Sequence, residues 1–172
     1  NGIPITDPLS EYDPQNPYTN REKRFYQDII YDGADFMGYE AVYWTGSGSM
    51  NELDLNFGST GRPCTVYHSR KAIEPQYYVN GYNQLSSANW VIFRYAEVLL
   101  GYAEAQNEAN GPDESVYRTM NEIRARVDLP ALKTGLSQAE MRTAIHRERR
   151  VELAFEDKRW PDLIRLKAAE KL

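Results

Sequence analysis

Residues 89–160 constrain the fold more than any other part of the chain, because apolar side chains recur there at helical spacing through three successive segments. The first segment is expected over 93–109, with Tyr95, Leu99, Tyr102, Ala103 and Gln106 at i, i+4, i+7, i+8 and i+11. Asn110-Gly111-Pro112 stops it, since Asn or Gly accepts a left-handed cap and Pro cannot continue the ladder. The second is expected over 113–127, with Val116, Met120, Ile123 and Val127 on one face. The third opens at Ser137, whose hydroxyl can cap the amide three residues on while Glu140 reaches back. On it, Met141, Ala144, Ile145, Glu148, Glu152 and Phe155 share a face. Trp160-Pro161 then suits the first turn of a short fourth helix through Leu166.

Upstream the pattern changes. Residues 1–20 interleave Pro4, Pro8, Pro14 and Pro17 with Asp7, Asp13 and Asn16, which predicts turns and extended chain. Residues 21–31 read as one short helix or a strand, with Phe25, Ile29 and Ile30 facing inward either way, and Asp32-Gly33 breaks it. Residues 33–61 read as a long irregular stretch punctuated by six glycines, a length uncommon in compact domains unless the segment binds something. An edge strand is expected within 65–72, and 77–89 returns to loop. Two regions follow, a loop-rich one over 1–92 with short strands and a helical one over 93–172. The fold class is mostly α, and the first helix pair spans nearly one tetratricopeptide period.

Charge narrows the partners. Residues 1–92 carry 6 basic and 11 acidic side chains, and 93–172 carry 14 of each, so the net −5 arises in the first region. No basic stripe emerges that would suit nucleic acid or anionic lipid. The mean hydropathy is −0.68, and no apolar run approaches the roughly 20 residues that span a bilayer. Asn1-Gly2-Ile3-Pro4 offers neither the basic start nor the apolar core of a signal peptide. Cys64, the one cysteine, cannot form an internal disulfide and is expected to serve as a small apolar side chain.

Few residues suggest chemistry. Glu148 and Glu152 lie on the apolar side of the third helix, where a glycosidase-like acid/base pair would need unequal pKa values. The preferred reading is structural: buried charge must be paired, and Arg94 and Arg159 are the expected partners. His146 has no HExxH context and His68 is remote, so no zinc site is expected, and no cofactor is implied. The scattered aspartates do not form an EF-hand, which leaves only an irregular calcium site open. Of 13 tyrosines, 12 precede residue 103, and Tyr39, Tyr43 and Trp44 lie in a glycine-bordered stretch near Glu40 and Asn51. Flat aromatic rings beside carboxylate and amide groups suit sugar faces and hydroxyl edges. The same rings could instead pack under the loop or against the remainder of a longer protein. Tyr39, Tyr43, Trp44 and Asn51 are therefore the candidate ligand-binding residues.

FRYAEVLLGYAEAQNE, NEIRARVDLPAL and LSQAEMRTAIHRERRVELAFEDKRWPDLIRLK, in this order and spacing, resemble the C-terminal region of the SusD/RagB family. NPYTNREKRFYQDIIYDGADF also resembles the segment that precedes it. The resemblance implies a tetratricopeptide-like helical scaffold in a surface-exposed lipoprotein of the Bacteroidetes outer membrane. It further implies non-catalytic binding of an oligosaccharide or polysaccharide for delivery to a SusC-like TonB-dependent transporter, with glycan contacts from variable loops. On this reading the chain is expected to be a fragment with its lipidation site elsewhere. The alternative is a structural interaction scaffold whose ligand, peptide in some relatives, contacts only the remaining half.

Overall fold

The computed structural model describes residues 3–43, 67–71, 73, 89 and 91–171, with Tyr39 and Lys171 described by their backbone. The chain divides into two compact units. One comprises Asn1–Tyr12, Glu22–Arg24 and Val91–Leu172, and the other comprises Asp13–Arg21 and Phe25–Trp90.

The helical unit is built on α2 (Tyr95–Asn110), α3 (Glu114–Arg126), α4 (Gln138–Glu152) and α5 (Arg159–Arg165), followed by a 3-10 turn at Ala169–Lys171. Each long helix begins or ends where local chemistry dictates. At the end of α2, Gly111 adopts φ 83° and its N–H donates to Asn107 O at 2.9 Å. An L-residue there would clash with its own carbonyl. Asp113 caps α3 by accepting from Val116 N at 3.1 Å. Beyond α3, Asp128 takes the left-handed conformation (φ 58°), and the N–H groups of Asp128 and Leu129 return to Ala125 O and Arg124 O. That is the paired closure which satisfies the last carbonyls of a helix. Ser137 and Glu140 form the expected capping box on α4.

The α2 and α3 segments form a hairpin of helices, and α4 packs on α2. Their shared core comprises Leu100, Ala103, Val116, Met120, Ile123, Met141, Ile145 and Leu153. The expected face of α3 is therefore the buried one, with Val127 also buried.

Two expected faces are corrected. On α2 the buried positions are Leu100, Ala103 and Asn107, whereas Tyr95 and Tyr102 are 65% and 48% exposed. YAEVLLGYA is apolar around much of its circumference, so spacing alone does not choose a face. Aliphatic Leu100 fills the core while Tyr102 keeps its hydroxyl outside, donating to Ser115 Oγ at 2.9 Å. On α4 the helix ends at Glu152, and Phe155 lies beyond it with φ 63°, 55% exposed. Arg94 Nη2 donates to the Glu152 carbonyl at 2.6 Å, satisfying one of the open acceptors at the helix end.

Residues 21–31 take both of their expected alternatives in turn: α1 (Lys23–Asp28), whose first two residues belong to the helical unit, leads directly into β1 (Ile29–Ile30) of the loop-rich unit. The β1 strand pairs antiparallel with β4 (His68–Ser69), which lies within the expected edge strand. The stretch expected to be irregular instead starts with a hairpin of β2 (Asp35–Phe36) and β3 (Tyr39–Glu40). Its central residues Met37 and Gly38 have φ of 59° and 83°, the mirror-image turn that matches strand twist. Methionine is not a usual residue at such a turn, which is why F-M-G-Y does not announce it. A small core of Ile30, Ala34 and Tyr43 closes the unit, with Tyr31, Phe36 and Ala41 against it. Cys64 and most of 44–90 lie outside the described residues.

Leu100 and Met120 are fully buried where α2 meets α3. Leu100→Ala and Met120→Ala should each destabilise the helical unit by about 2–5 kcal/mol, read as a lower urea midpoint in far-UV circular dichroism. The same change at exposed Tyr95 should cost far less.

Candidate functional site

The two glutamates of α4 sit at the centre of a cluster of arginines. Glu152 is 1% exposed and Glu148 is 5% exposed. Glu152 Oε1 accepts from Arg94 Nη1 and Arg126 Nη2, both at 2.6 Å. Its Oε2 accepts from Arg126 Nη2 at 2.7 Å and Arg24 Nη1 at 2.9 Å. Glu148 Oε2 accepts from Arg124 Nη1 at 2.9 Å, and its Oε1 lies 2.7 Å from Arg24 Nη1 as an ion pair without hydrogen-bond alignment. At the rim, Arg24 Nε and Nη2 donate to the two oxygens of Glu22, while Glu156 accepts from Arg94 Nε and Nη2.

Four carboxylates (Glu22, Glu148, Glu152, Glu156) thus face four guanidiniums (Arg24, Arg94, Arg124, Arg126). Burial pushes the Glu152 carboxyl up, but hydrogen bonding and charge from Arg94, with Arg126 and Arg24, hold it below its ordinary value. Burial likewise opposes the charge on Arg24, and Glu22 and Glu148 more than restore it. Glycoside hydrolysis by two carboxyls needs one that stays protonated and room for a sugar between them. Here Glu152 is held ionised and both side chains are filled by guanidiniums. The site is an electrostatic joint.

Arg94 is a partner of Glu152 as expected. Arg159, the other expected partner, lies exposed at the start of α5, and the positions facing Glu148 and Glu152 belong to Arg24, Arg94, Arg124 and Arg126. Sequence reasoning missed three of those four. Arg124 was legible, since it shares the Met120–Val127 stripe at helical spacing. No local spacing ties Arg24 to a residue 128 positions away.

A second network holds α5. Asp162 accepts from Arg149 Nε at 2.8 Å and Arg165 Nε at 2.7 Å, while Arg165 also donates to both oxygens of Glu104. Burial opposes charge on Asp162 and Glu104, yet these arginines keep both pKa values lowered. His146 is half-buried with Nε2 at 3.4 Å from Glu104 Oε1. Among the described residues, no group of three or more His, Cys, Asp or Glu side chains converges as a metal site.

Of the candidate ligand residues, Tyr43 is 4% exposed and stacks on His68 at a centroid distance of 5.1 Å. Its backbone N–H donates to Asp32 Oδ1 at 2.9 Å, and burial, then Asp32, pushes its hydroxyl up to about 12. Tyr43 therefore packs inside its unit and offers no face to a ligand. Tyr39 is placed by its backbone alone, paired with Phe36 across the hairpin. Trp44 and Asn51 lie outside the described residues.

Replacing Glu152 by Gln would leave buried guanidiniums uncompensated, and we expect a loss of about 3–5 kcal/mol of stability. The pH dependence has a definite sign. The depressed folded pKa means the pairing stabilises fully above the ordinary value of 4.5 and is lost as pH falls below it. Asp162 and Glu104 act in the same direction. Urea midpoints measured across this range should fall steeply in the native chain and less steeply in Glu152→Gln.

Comparison with known proteins places this scaffold. SusD-like protein P2 of Formosa agariphila is 42% identical over 94 residues, covering 51% of this chain and 19% of that protein. SusD-like protein P38 of the same organism is 35% identical over 99 residues, covering 53% and 20%. The chain therefore spans about a fifth of the length of these curated relatives. A crystal structure of a SusD-like protein from Bacteroides fragilis superposes with a TM-score of 0.74 at 32% identity, covering 88% of this chain and 29% of the other. A SusD superfamily protein from Parabacteroides distasonis gives 0.55 at 26% identity, covering 83% and 30%. The sequence profile of the SusD family itself matches residues 2–172, and with the helical scaffold already described, the chain belongs to the SusD family.

Proposed function

We propose that this protein binds glycans without catalysis at the bacterial outer membrane and passes them to a SusC-like TonB-dependent transporter. The observation that carries the reading is the family match across residues 2–172. The engagement of Glu148 and Glu152 by arginines supports binding over hydrolysis. A surface-exposed lipoprotein is the form proposed for it, and among the described residues no helix is long and apolar enough to cross a membrane.

Capture for transport favours modest affinity, because a ligand held too tightly would not be released to the next binder. Within this chain we assign the aromatic platform to Trp44, with Tyr39 and Asn51 beside it in sequence. Tyr43 serves them as an anchor: its ring is stacked on His68 and its backbone is tied to Asp32, which fixes the chain immediately before Trp44.

One observation favours the alternative, a scaffold whose ligand, peptide included, is bound elsewhere. Tyr43 is buried, so the aromatic content of this region goes at least partly into packing.

Calorimetric titration of the protein with neutral oligosaccharides, repeated with Trp44→Ala, separates the two. Capture at this segment predicts that the mutant weakens binding about tenfold or more with circular dichroism unchanged. Binding that survives the substitution would move recognition away from this segment and favour the scaffold reading.

A further inference from the structure

We propose that the cleft where α4, the segment 153–158 and α5 meet is a subsite for an anionic saccharide, one bearing a carboxylate or a sulfate ester. The proposal rests on the glycan-capture reading above and names a ligand class and a location for it.

The cleft has a volume of about 680 Å³, inside the range of small-ligand sites. Its lining combines two kinds of side chain. Trp160 and Phe155 supply aromatic faces and are 62% and 55% exposed, although both are large enough to be buried profitably. Phe155 is presented by a left-handed backbone (φ 63°), and Asp157 repeats that conformation two residues on (φ 58°). Such conformations cost energy in non-glycine residues.

The second kind is cationic. Arg149, Arg150, Lys158 and Arg159 line the cleft against Asp157 and Asp162, an excess of two positive charges in a chain whose net charge is −5. Arg149 is committed to Asp162 and Glu97, and Lys158 to Glu97 and the Ile92 carbonyl. Asp162 is itself neutralised by Arg149 and Arg165. Arg150 and Arg159 are exposed, and among the described residues neither has an ion-pair partner.

Each half of this lining needs the other to make sense of the ligand. A free inorganic anion would use the guanidiniums and leave the rings idle. A neutral sugar would stack on Trp160 and leave two unpaired cations in the cleft. A sugar ring bearing an acidic group meets both, its C–H face on the indole and its anion in the planar fork of Arg150 or Arg159.

The test is calorimetric titration of the protein with an oligogalacturonate, a carrageenan oligosaccharide and a neutral malto-oligosaccharide, the first two separating carboxylate from sulfate. Arg150→Gln combined with Arg159→Gln should weaken the preferred acidic ligand by about tenfold or more, while neutral binding is unchanged. Trp160→Ala should also weaken it and Trp160→Phe should restore it. If a variant unfolds, the native protein still decides: acidic ligands must bind more tightly than the neutral one and lose that advantage as salt is raised. Equal binding of acidic and neutral ligands, or acidic binding untouched by the arginine substitutions, overturns the subsite and leaves glycan capture standing. No binding to any oligosaccharide overturns both.

Discussion

A buried carboxylate can be kept in a protein core only if opposite charge and hydrogen bonds replace the water it lost, and the helical unit is arranged around that requirement at Glu152. The replacements come from four places. Arg24 enters from the first turn of α1, Arg94 stands immediately before α2, and Arg124 and Arg126 close α3, all converging on the last turns of α4. Apolar packing of Leu100, Met120, Met141 and Ile145 brings the helices together but tolerates small shifts. The charges tolerate less. A guanidinium displaced by one residue along its helix would leave both itself and the glutamate unpaired in a dry interior, so the joint selects one register for all the segments at once. Sharing oxygens among several arginines also couples the contacts, because each guanidinium steadies the carboxylate for the others.

The same pairing sets Glu152 apart from the general acid of a two-carboxyl glycoside hydrolase. A carboxyl that must donate a proton near neutral pH is placed in an apolar pocket or beside another carboxylate, so that its pKa rises. Glu152 is buried too, yet its arginine neighbours move it the other way. Burial alone thus says little about catalytic competence. The sign of the neighbouring charge decides it.

Much of the helical unit was legible because its signals are local. The glycine stop after α2, the Ser137–Glu140 capping box and the apolar stripe of α3 each lie within a few residues and need no tertiary partner to be recognised. What escaped was set at a distance or by competition. The face of α2 was ambiguous because tyrosine and leucine both count as apolar while only leucine belongs in a dry core. Nothing local marked the end of α4, where Phe155 takes a left-handed backbone and Arg94, 58 residues earlier, donates to the Glu152 carbonyl. Arg24 is the sharpest case: nothing within REKRFY singles it out, and only the folded chain shows that it is buried. In the loop-rich unit, Met37 hides a tight turn, and the tyrosine count could not say which rings pack and which are displayed. Tyr43 packs.

The account stands or falls on whether Arg24 and Glu152 are energetically coupled within the helical unit. The direct measurement is a double-mutant cycle, comparing urea unfolding of the native chain with Arg24→Met, Glu152→Gln and the combined variant. An electrostatic joint predicts that the two single losses overlap strongly, with a coupling of about 1–3 kcal/mol that survives moderate salt because the pair is buried. Additive losses, with coupling within about 0.5 kcal/mol of zero, would contradict it and leave Arg24 as a side chain that merely rests against the helices.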